Sequence, residues 1–339
     1  MRLEQRVIAD ALGTILMHNV ADAEGDRVLK KGTRLTGDHL VLLAELGREV
    51  VDVAVLEADD VHEDEAALAL AEVLRTEQLT LSRPGGGRVN LRSQVDGLLE
   101  VNAERLLWLN LIPGITLATR RPHTVVGPNQ ETDNVGTLKI IPFAVYRRDL
   151  ERALELARPR PGIIEVRPFP PGRRAAMLLV AEPAVHARVR DEYLPPTRTR
   201  LERLGAELVA TEEVVQEEQA IARAAARLAQ EADLLLIAGQ TSVMDENDTT
   251  LRALRLAGAE GVLSGAPVEP GNLLALAYFP DTPVICLPGC AKGLKRNVVD
   301  LVLPRLLLGD RLTWWDIAAL GLGGFLTAEE RAGPSRSGS

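Results

Sequence analysis

Aromatic residues are scarce in this chain: three Trp, three Tyr and four Phe among 339 residues. Base-stacking platforms are built from exposed rings, so a nucleic-acid interface of that kind is not expected. Positive charge is short as well, with 39 Lys and Arg against 48 Asp and Glu and a net charge of −9. A broad nucleic-acid face needs a positive field, and the composition argues against one. Long apolar runs are missing. The longest stretch without a charged residue, 106–119, contains Asn110 and Pro113, whereas a membrane-spanning helix needs about 20 apolar residues. Glu4 and Asp10 fall where a secretion signal would carry its apolar core. Two cysteines make no disulfide framework. The five histidines (His18, His39, His62, His123 and His186) are scattered, so neither a catalytic triad nor a zinc set can be assembled around them. These absences predict a soluble, cytoplasmic protein with neither nucleic acid nor membrane as partner.

What is present is enough apolar sequence, 46% of residues, to bury a sizeable core. At roughly 100–200 residues per domain, the length allows two or three domains. Residues 1–76 read as a small α+β domain, with Thr36 capping a helix that ends at Gly47 and a second amphipathic helix over 63–75. Residues 77–172 read as an α+β middle segment. In it, Gly85–Gly87 is a hairpin turn rather than a phosphate loop, because no Lys-Ser/Thr follows to open a helix. Residues 98–109 are expected to be helical, 137–145 a strand and 150–157 a short helix. Residues 173–330 alternate apolar strands (175–182, 206–212, 232–239) with helices (197–204 after the Pro195-Pro196 break, 214–231 and 249–257). That alternation predicts an α/β domain of three layers, α/β/α, around a mostly parallel sheet, with an antiparallel hairpin over 273–287. The tail, 331–339, is expected to be disordered.

Open α/β sheets bind ligands beyond the carboxyl ends of their strands, and two such ends carry opposed charge. After the strand ending at Gly239 come Gln240, Thr241 and Ser242, then Asp245, Glu246 and Asp248. Carboxylates crowded in this way suit a Mg²⁺ held by one or two of them. Asp248 is equally placed to cap the helix that starts at Thr249, and the two roles are compatible. After the strand ending near Leu287 come Pro288 and Gly289, then Lys292, Lys295 and Arg296, with no acid anywhere in 282–299. A helix beginning near Ala291 would add its N-terminal amides to those cations as an anion site; the alternative is a solvated basic face. A third loop, 264–272, brings Gly265 and Gly271 with the single charge of Glu269. Cys286 reads as a small buried hydrophobe, and Trp314-Trp315 as anchors of the C-terminal segment to the core.

From about Ala175 to Leu326 the chain resembles the molybdopterin-binding (MoaB/Mog-like) domain of molybdenum-cofactor biosynthesis proteins, a group that includes molybdopterin adenylyltransferases and MoeA-like molybdenumtransferases. The resemblance is carried by GQTSVMDENDTTLRAL, GAPVEPGNLLAL, VICLPGCAKGLKRNVVDLVLPRLL and DIAALGLGGFL, in matching order. It implies a glycine-rich ligand turn on Gly239, Gln240, Thr241 and Ser242, and a metal-binding, catalytic acid on Asp248 with Asp245 nearby. It implies a second ligand loop on Pro288, Gly289, Cys290, Ala291 and Lys292. The expected ligand is molybdopterin or its nucleotide adduct, the expected cofactor Mg²⁺, and the expected partners other molybdenum-cofactor proteins and further copies of the chain. Where the transferases have a Gly-Gly-x-Gly/Ser turn this chain has Gln240 and Ser242, and the Gly-rich nucleotidyltransferase loop is not found in the sequence. A molybdenumtransferase and a non-catalytic carrier or sensor both fit the resemblance.

Overall fold

A computed structural model describes residues 1–128 and 133–332. The tail expected to be disordered lies outside the described residues from 333 onward; residues 331 and 332 close a short helix, Ala328–Ala332. The chain forms two compact units, Met1–Arg167 and Pro168–Ser339.

Within the first unit, strand Arg2–Val7 pairs antiparallel with Val50–Val55, which also pairs with Ile15–Leu16. The helix Gly37–Glu45 closes this core through Leu43 and begins at a capping box between Thr36 and His39. A second core lies between a four-stranded antiparallel sheet and the helices Glu63–Leu74 and Arg147–Ala157. The first of these helices, read from sequence with the N-terminal segment, buries Ala66, Leu70 and Leu74 with Val89, Leu91 and Leu138 of the following strands. The triple glycine turns between the paired strands Leu79–Leu81 and Arg88–Ser93, and the Gly87 N–H donates to Asp64 Oδ1 at 2.6 Å.

Two expectations for this unit are corrected. Residues 98–109 are not one helix. Strand Gly97–Val101 runs into helix Ala103–Asn110, and the Asn102 side chain caps the junction by accepting from the Arg105 N–H. Residues 137–145 are not one strand either. The first strand ends at Ile140, Pro142 has no N–H to continue the ladder, and Ala144–Tyr146 starts a new pairing with Asp60–His62.

The second unit is built on a six-stranded sheet. Its elements are β1 (Arg173–Val180), α1 (His186–Arg203), β2 (Ala206–Val214), α2 (Glu218–Glu231), β3 (Leu234–Gly239), α3 (Thr249–Leu256), β4 (Glu260–Ser264), β5 (Ala275–Tyr278), β6 (Pro283–Cys286), α4 (Val299–Leu307) and α5 (Trp314–Ala319). The strand order is β2-β1-β3-β6-β5-β4. β1 is parallel to β2 and β3, and β3 is parallel to β6. β5 is antiparallel to both β6 and β4, so β4 runs with the parallel set. α2 and α3 cover one face, where Ile221, Leu228, Leu251 and Leu254 pack on Ala176, Leu178, Leu235 and Ile237. The alternate residues Met177, Leu179, Leu234 and Leu236 are buried too, and α1 contacts β1, β2 and β3. Burial on both faces is why these strands read as unbroken apolar runs.

Three expectations for this unit are corrected. Pro195 and Pro196 do not break α1, which runs through both. A proline inside a helix costs roughly 3 kcal/mol, but Val189 and Tyr193 before the pair and Thr197 and Leu201 after it are buried on one face, and their packing holds the helix together. No regular helix begins at Ala291; Gly289–Lys292 is a single 3-10 turn and α4 starts at Val299. Trp314 and Trp315 anchor nothing, being 53% and 86% exposed. That segment is held by Leu312 and Ile317, by Arg305 pairing with Asp310 and Asp316, and by the Leu312 N–H donating to the Tyr278 hydroxyl at 2.9 Å.

Leu236→Ala, which empties a position 1% exposed, is expected to cost about 2–5 kcal/mol in urea unfolding. Trp315→Ala is expected to stay within about 0.5 kcal/mol of the parent, because that ring buries little surface.

Candidate functional site

The parallel pairing delivers the carboxyl ends of β1, β3, β6 and β4 to one edge of the sheet. From β1 the chain moves to β2 on one side and returns to β3 on the other, so the topological switch point lies between β1 and β3. The loop after β3 starts at this point. The Gln240 N–H donates to Val180 O at 2.9 Å, and its side-chain Oε1 accepts from the Glu182 N–H at 3.5 Å. Gln240 therefore lies across the boundary between the two strands.

The loop then meets the one that follows β6. A Cβ placed on Gly289 would lie 3.6 Å from Ser242 Oγ. Gly289 and Gln240 are exposed, while Ser242 is half-buried and Pro288 buried. The third loop, after β4, closes on the same place. Gly271, with φ +131, allows such close approach that a Cβ there would collide with Val298 Cγ1. The Val298 N–H donates to Pro270 O at 3.2 Å, and the Glu269 carboxylate is near enough to act on the Cys290 thiol. Gly265, at φ +87, donates its N–H to Leu274 O at 2.8 Å and so closes the hairpin below this loop.

The acidic side is organised by local capping. Asp248 Oδ1 accepts from the Thr250 N–H at 2.9 Å as the N-cap of α3. Asp245 Oδ1 accepts from the Asn247 N–H at 2.6 Å. Neither carboxylate accepts a further hydrogen bond among the described residues. Two arginines of α3 brace the loop from below: Arg255 donates to Glu246 O at 2.6 Å, and Arg252 donates to Asn247 O while pairing with Glu218. The charge of Asp248 reaches Cys286 at the end of β6. Burial first, and that negative charge second, push the Cys286 thiol up to about 12. No group of three or more His, Cys, Asp or Glu side chains is gathered to hold a metal among the described residues.

The basic side differs from its reading in sequence. Lys292 is not an unmatched cation. Its Nζ lies 2.7 Å from Glu192 Oε2 and 5.3 Å from the centre of the Tyr193 ring, both on α1. The hydrogen bond and charge of Lys292 lower the Glu192 carboxyl from its ordinary value. The positive island of 282–299 is thus partly neutralised by an acid about a hundred positions earlier in the chain, which no local count reveals. Lys295 is exposed and makes no ion pair among the described residues.

Sequence reasoning missed the support beneath this loop. Arg200, 4% exposed on α1, donates to Ala291 O at 3.1 Å, to Gly293 O at 2.7 Å and to both oxygens of Asp300. Asn297 donates to Cys290 O and Lys295 O and accepts from the Val299 N–H. The only signal available in advance was helical spacing, which puts Arg200 on the buried face of α1 with Val189, Tyr193 and Thr197. The GLGG stretch, 321–324, enters the sequence reading only as part of the family resemblance, and its structural role appears only in the fold. It straps the third loop through the Glu269 N–H donating to Gly324 O at 2.8 Å and the Leu326 N–H donating to Glu269 O at 2.9 Å.

Residues 176–307 match the family described as a probable molybdopterin binding domain. This is a family-level link to the molybdenum-cofactor biosynthesis proteins, carried by the second unit. No curated protein matches the chain. Among solved structures, the molybdopterin biosynthesis enzyme MoaB from Thermus thermophilus is similar at 23% identity and a TM-score of 0.32, covering 42% of this chain and 99% of that one. The molybdopterin biosynthesis MoeA protein from Pyrococcus horikoshii is similar at 13% identity and a TM-score of 0.31, covering 91% and 76%. A molybdenum cofactor biosynthesis protein from Pyrococcus furiosus is similar at 13% identity and a TM-score of 0.25, covering 94% of this chain and 65% of that one.

Asp248→Ala is expected to lower stability by about 0.5–2 kcal/mol through loss of the cap, while Asp248→Asn stays near the parent; urea unfolding of both separates the cap from the charge. Cys286 is expected to resist iodoacetamide at about pH 8 in the folded protein and to react once the protein is unfolded, as peptide mass mapping would show.

Proposed function

We propose that this protein binds molybdopterin, or molybdopterin activated by a nucleotide, at the carboxyl edge of the second unit, within molybdenum-cofactor biosynthesis. The observation that carries the reading is a coincidence of place. The segment matching a molybdopterin-binding family, 176–307, contains both loops that meet at Ser242 and Gly289. In this reading the unit is a three-layer α/β/α domain and the ligand lies over the β1/β3 switch point. The terminal phosphate of the pterin is an anion, and Lys295 with the amides of the 287–297 loop is suited to it. Gly239, Thr241, Ser242, Gly265, Gly271, Pro288 and Gly289 line the approach, and Gln240 sets its width. Lys292 contributes through its place in the loop rather than as a lone charge, because Glu192 pairs with it.

Asp245 and Asp248 each commit one oxygen to a backbone N–H. That donor set fits Mg²⁺ of the kind held by one or two protein carboxylates together with substrate phosphates. Asp248, with Asp245 beside it, would hold the ion, which would neutralise charge on a bound phosphate. As a molybdenumtransferase the protein would take molybdate and adenylated molybdopterin as substrates. Its own residues would then hold the phosphate and keep the reacting groups in register. A carrier or sensor is the second reading, and Gln240 favours it: its side chain occupies space that a glycine turn would leave for a phosphate. Other molybdenum-cofactor proteins, and further copies of the chain, are the partners this role implies.

Purified protein is expected to release a pterin on denaturation, identified by mass spectrometry and by fluorescence after oxidation. A preparation that releases none, and does not bind added molybdopterin, would overturn the reading. Mg²⁺-dependent turnover abolished by Asp248→Asn would identify an enzyme; bound pterin without turnover would identify a carrier. Gly289→Val, which brings a branched side chain up to Ser242, is expected to weaken pterin binding at least about tenfold while the melting temperature stays near the parent.

A further inference from the structure

The 287–297 loop has little regular structure of its own beyond one 3-10 turn, yet the carbonyls of Cys290, Ala291, Gly293 and Lys295 are all held from beneath. Arg200 donates to Ala291 O, Gly293 O and, at 3.4 Å, Lys295 O. Asn297, 1% exposed, donates to Cys290 O at 3.3 Å and to Lys295 O at 3.0 Å. Asp300 locks the two together, pairing with Arg200 at 2.9 Å and accepting from the Asn297 N–H at 2.9 Å. Across a trans peptide the C=O and the following N–H point in opposite directions. A carbonyl turned inward therefore turns the next amide outward: with Gly293 O drawn onto Arg200, the Leu294 N–H faces away from the guanidinium. The N–H groups of Leu294 and Lys295 donate to no acceptor among the described residues, and both residues are exposed.

We propose that Arg200 is a positioning residue for phosphate binding, acting through the backbone of this loop. Its guanidinium fixes the carbonyls of Ala291, Gly293 and Lys295 inward, and so presents the amide of Leu294, beside the Lys295 ammonium, to a phosphate monoester. The inference rests on the reading of this loop as the phosphate subsite. A planar fork is needed, because one ammonium cannot serve two carboxylate oxygens and three carbonyls at once. The contribution of Arg200 is geometric; its charge is already matched by Asp300.

The test uses the full-length protein, inorganic phosphate as probe and phosphorus NMR titration of the parent, Arg200→Lys and Arg200→Met. Hydrogen–deuterium exchange over 289–296 is measured in parallel, below the melting temperature of each protein. Arg200→Lys keeps the charge and loses the fork. It is expected to weaken phosphate binding at least about tenfold, the worth of one charge-assisted hydrogen bond, and to speed exchange at 289–296 in protein that is still folded. Should Arg200→Met fail to fold, Arg200→Lys carries the test alone. Phosphate binding by Arg200→Lys within about twofold of the parent, with only the melting temperature lowered, would overturn the inference and make Arg200 a structural residue. A parent protein that does not bind phosphate at this loop would overturn the phosphate-subsite reading itself, and the inference with it.

Discussion

Parallel strand pairing is the constraint on which the second unit depends. Parallel neighbours cannot be joined by a tight turn, so each connection must cross a face of the sheet before the next strand begins. The crossovers bury the sheet on both sides, and they also send the loops after β1, β3 and β6 to the same edge. The antiparallel strand β5 reverses the chain once, so that β4 adds the 264–272 loop to that edge as well. Loops far apart in sequence are thereby brought to one edge of the sheet with little regular structure of their own.

Loops gathered in this way still need a shape, and this one takes it from buried polar groups. Arg200, Asn297 and Asp300 satisfy backbone groups that would otherwise be buried without partners, a condition that costs more than the net worth of each bond. Gly271 against Val298 and Gly324 against Pro267 supply the other constraint, a backbone approach too close for any side chain. Electrostatics then follows the packing. The acids of the 239–248 loop are turned partly toward local amides, and Lys292 is turned toward α1. The surviving charge contrast is narrower than a count of residues along the chain suggests.

The elements legible in the sequence were those set by local pattern. The apolar strands of the second unit, the helix after Asp248 and its cap, and the hairpin of β5 and β6 depend on neighbours a few positions away, and periodicity or a capping residue exposes them. The elements misread were those decided from a distance. α1 continues through two prolines because its buried face is held at both ends. Residues 98–109 divide where Asn102 caps a helix that the preceding strand had concealed. Trp314 and Trp315 stay exposed because Leu312 and Ile317 take the buried positions.

Sequence alone therefore determined that the second unit would be an α/β domain, which loops could bear charge, and that Asp248 stood at the start of a helix. These follow from apolar period, turn residues and capping chemistry, all written within a few residues. Only the tertiary structure decided that Glu192 meets Lys292, that Arg200 reaches under the 287–297 loop, and that Gly289 faces Ser242. Those pairings join residues from about forty-seven to a hundred positions apart. Chain crossover and burial set such distances, and no local pattern of residue types encodes them.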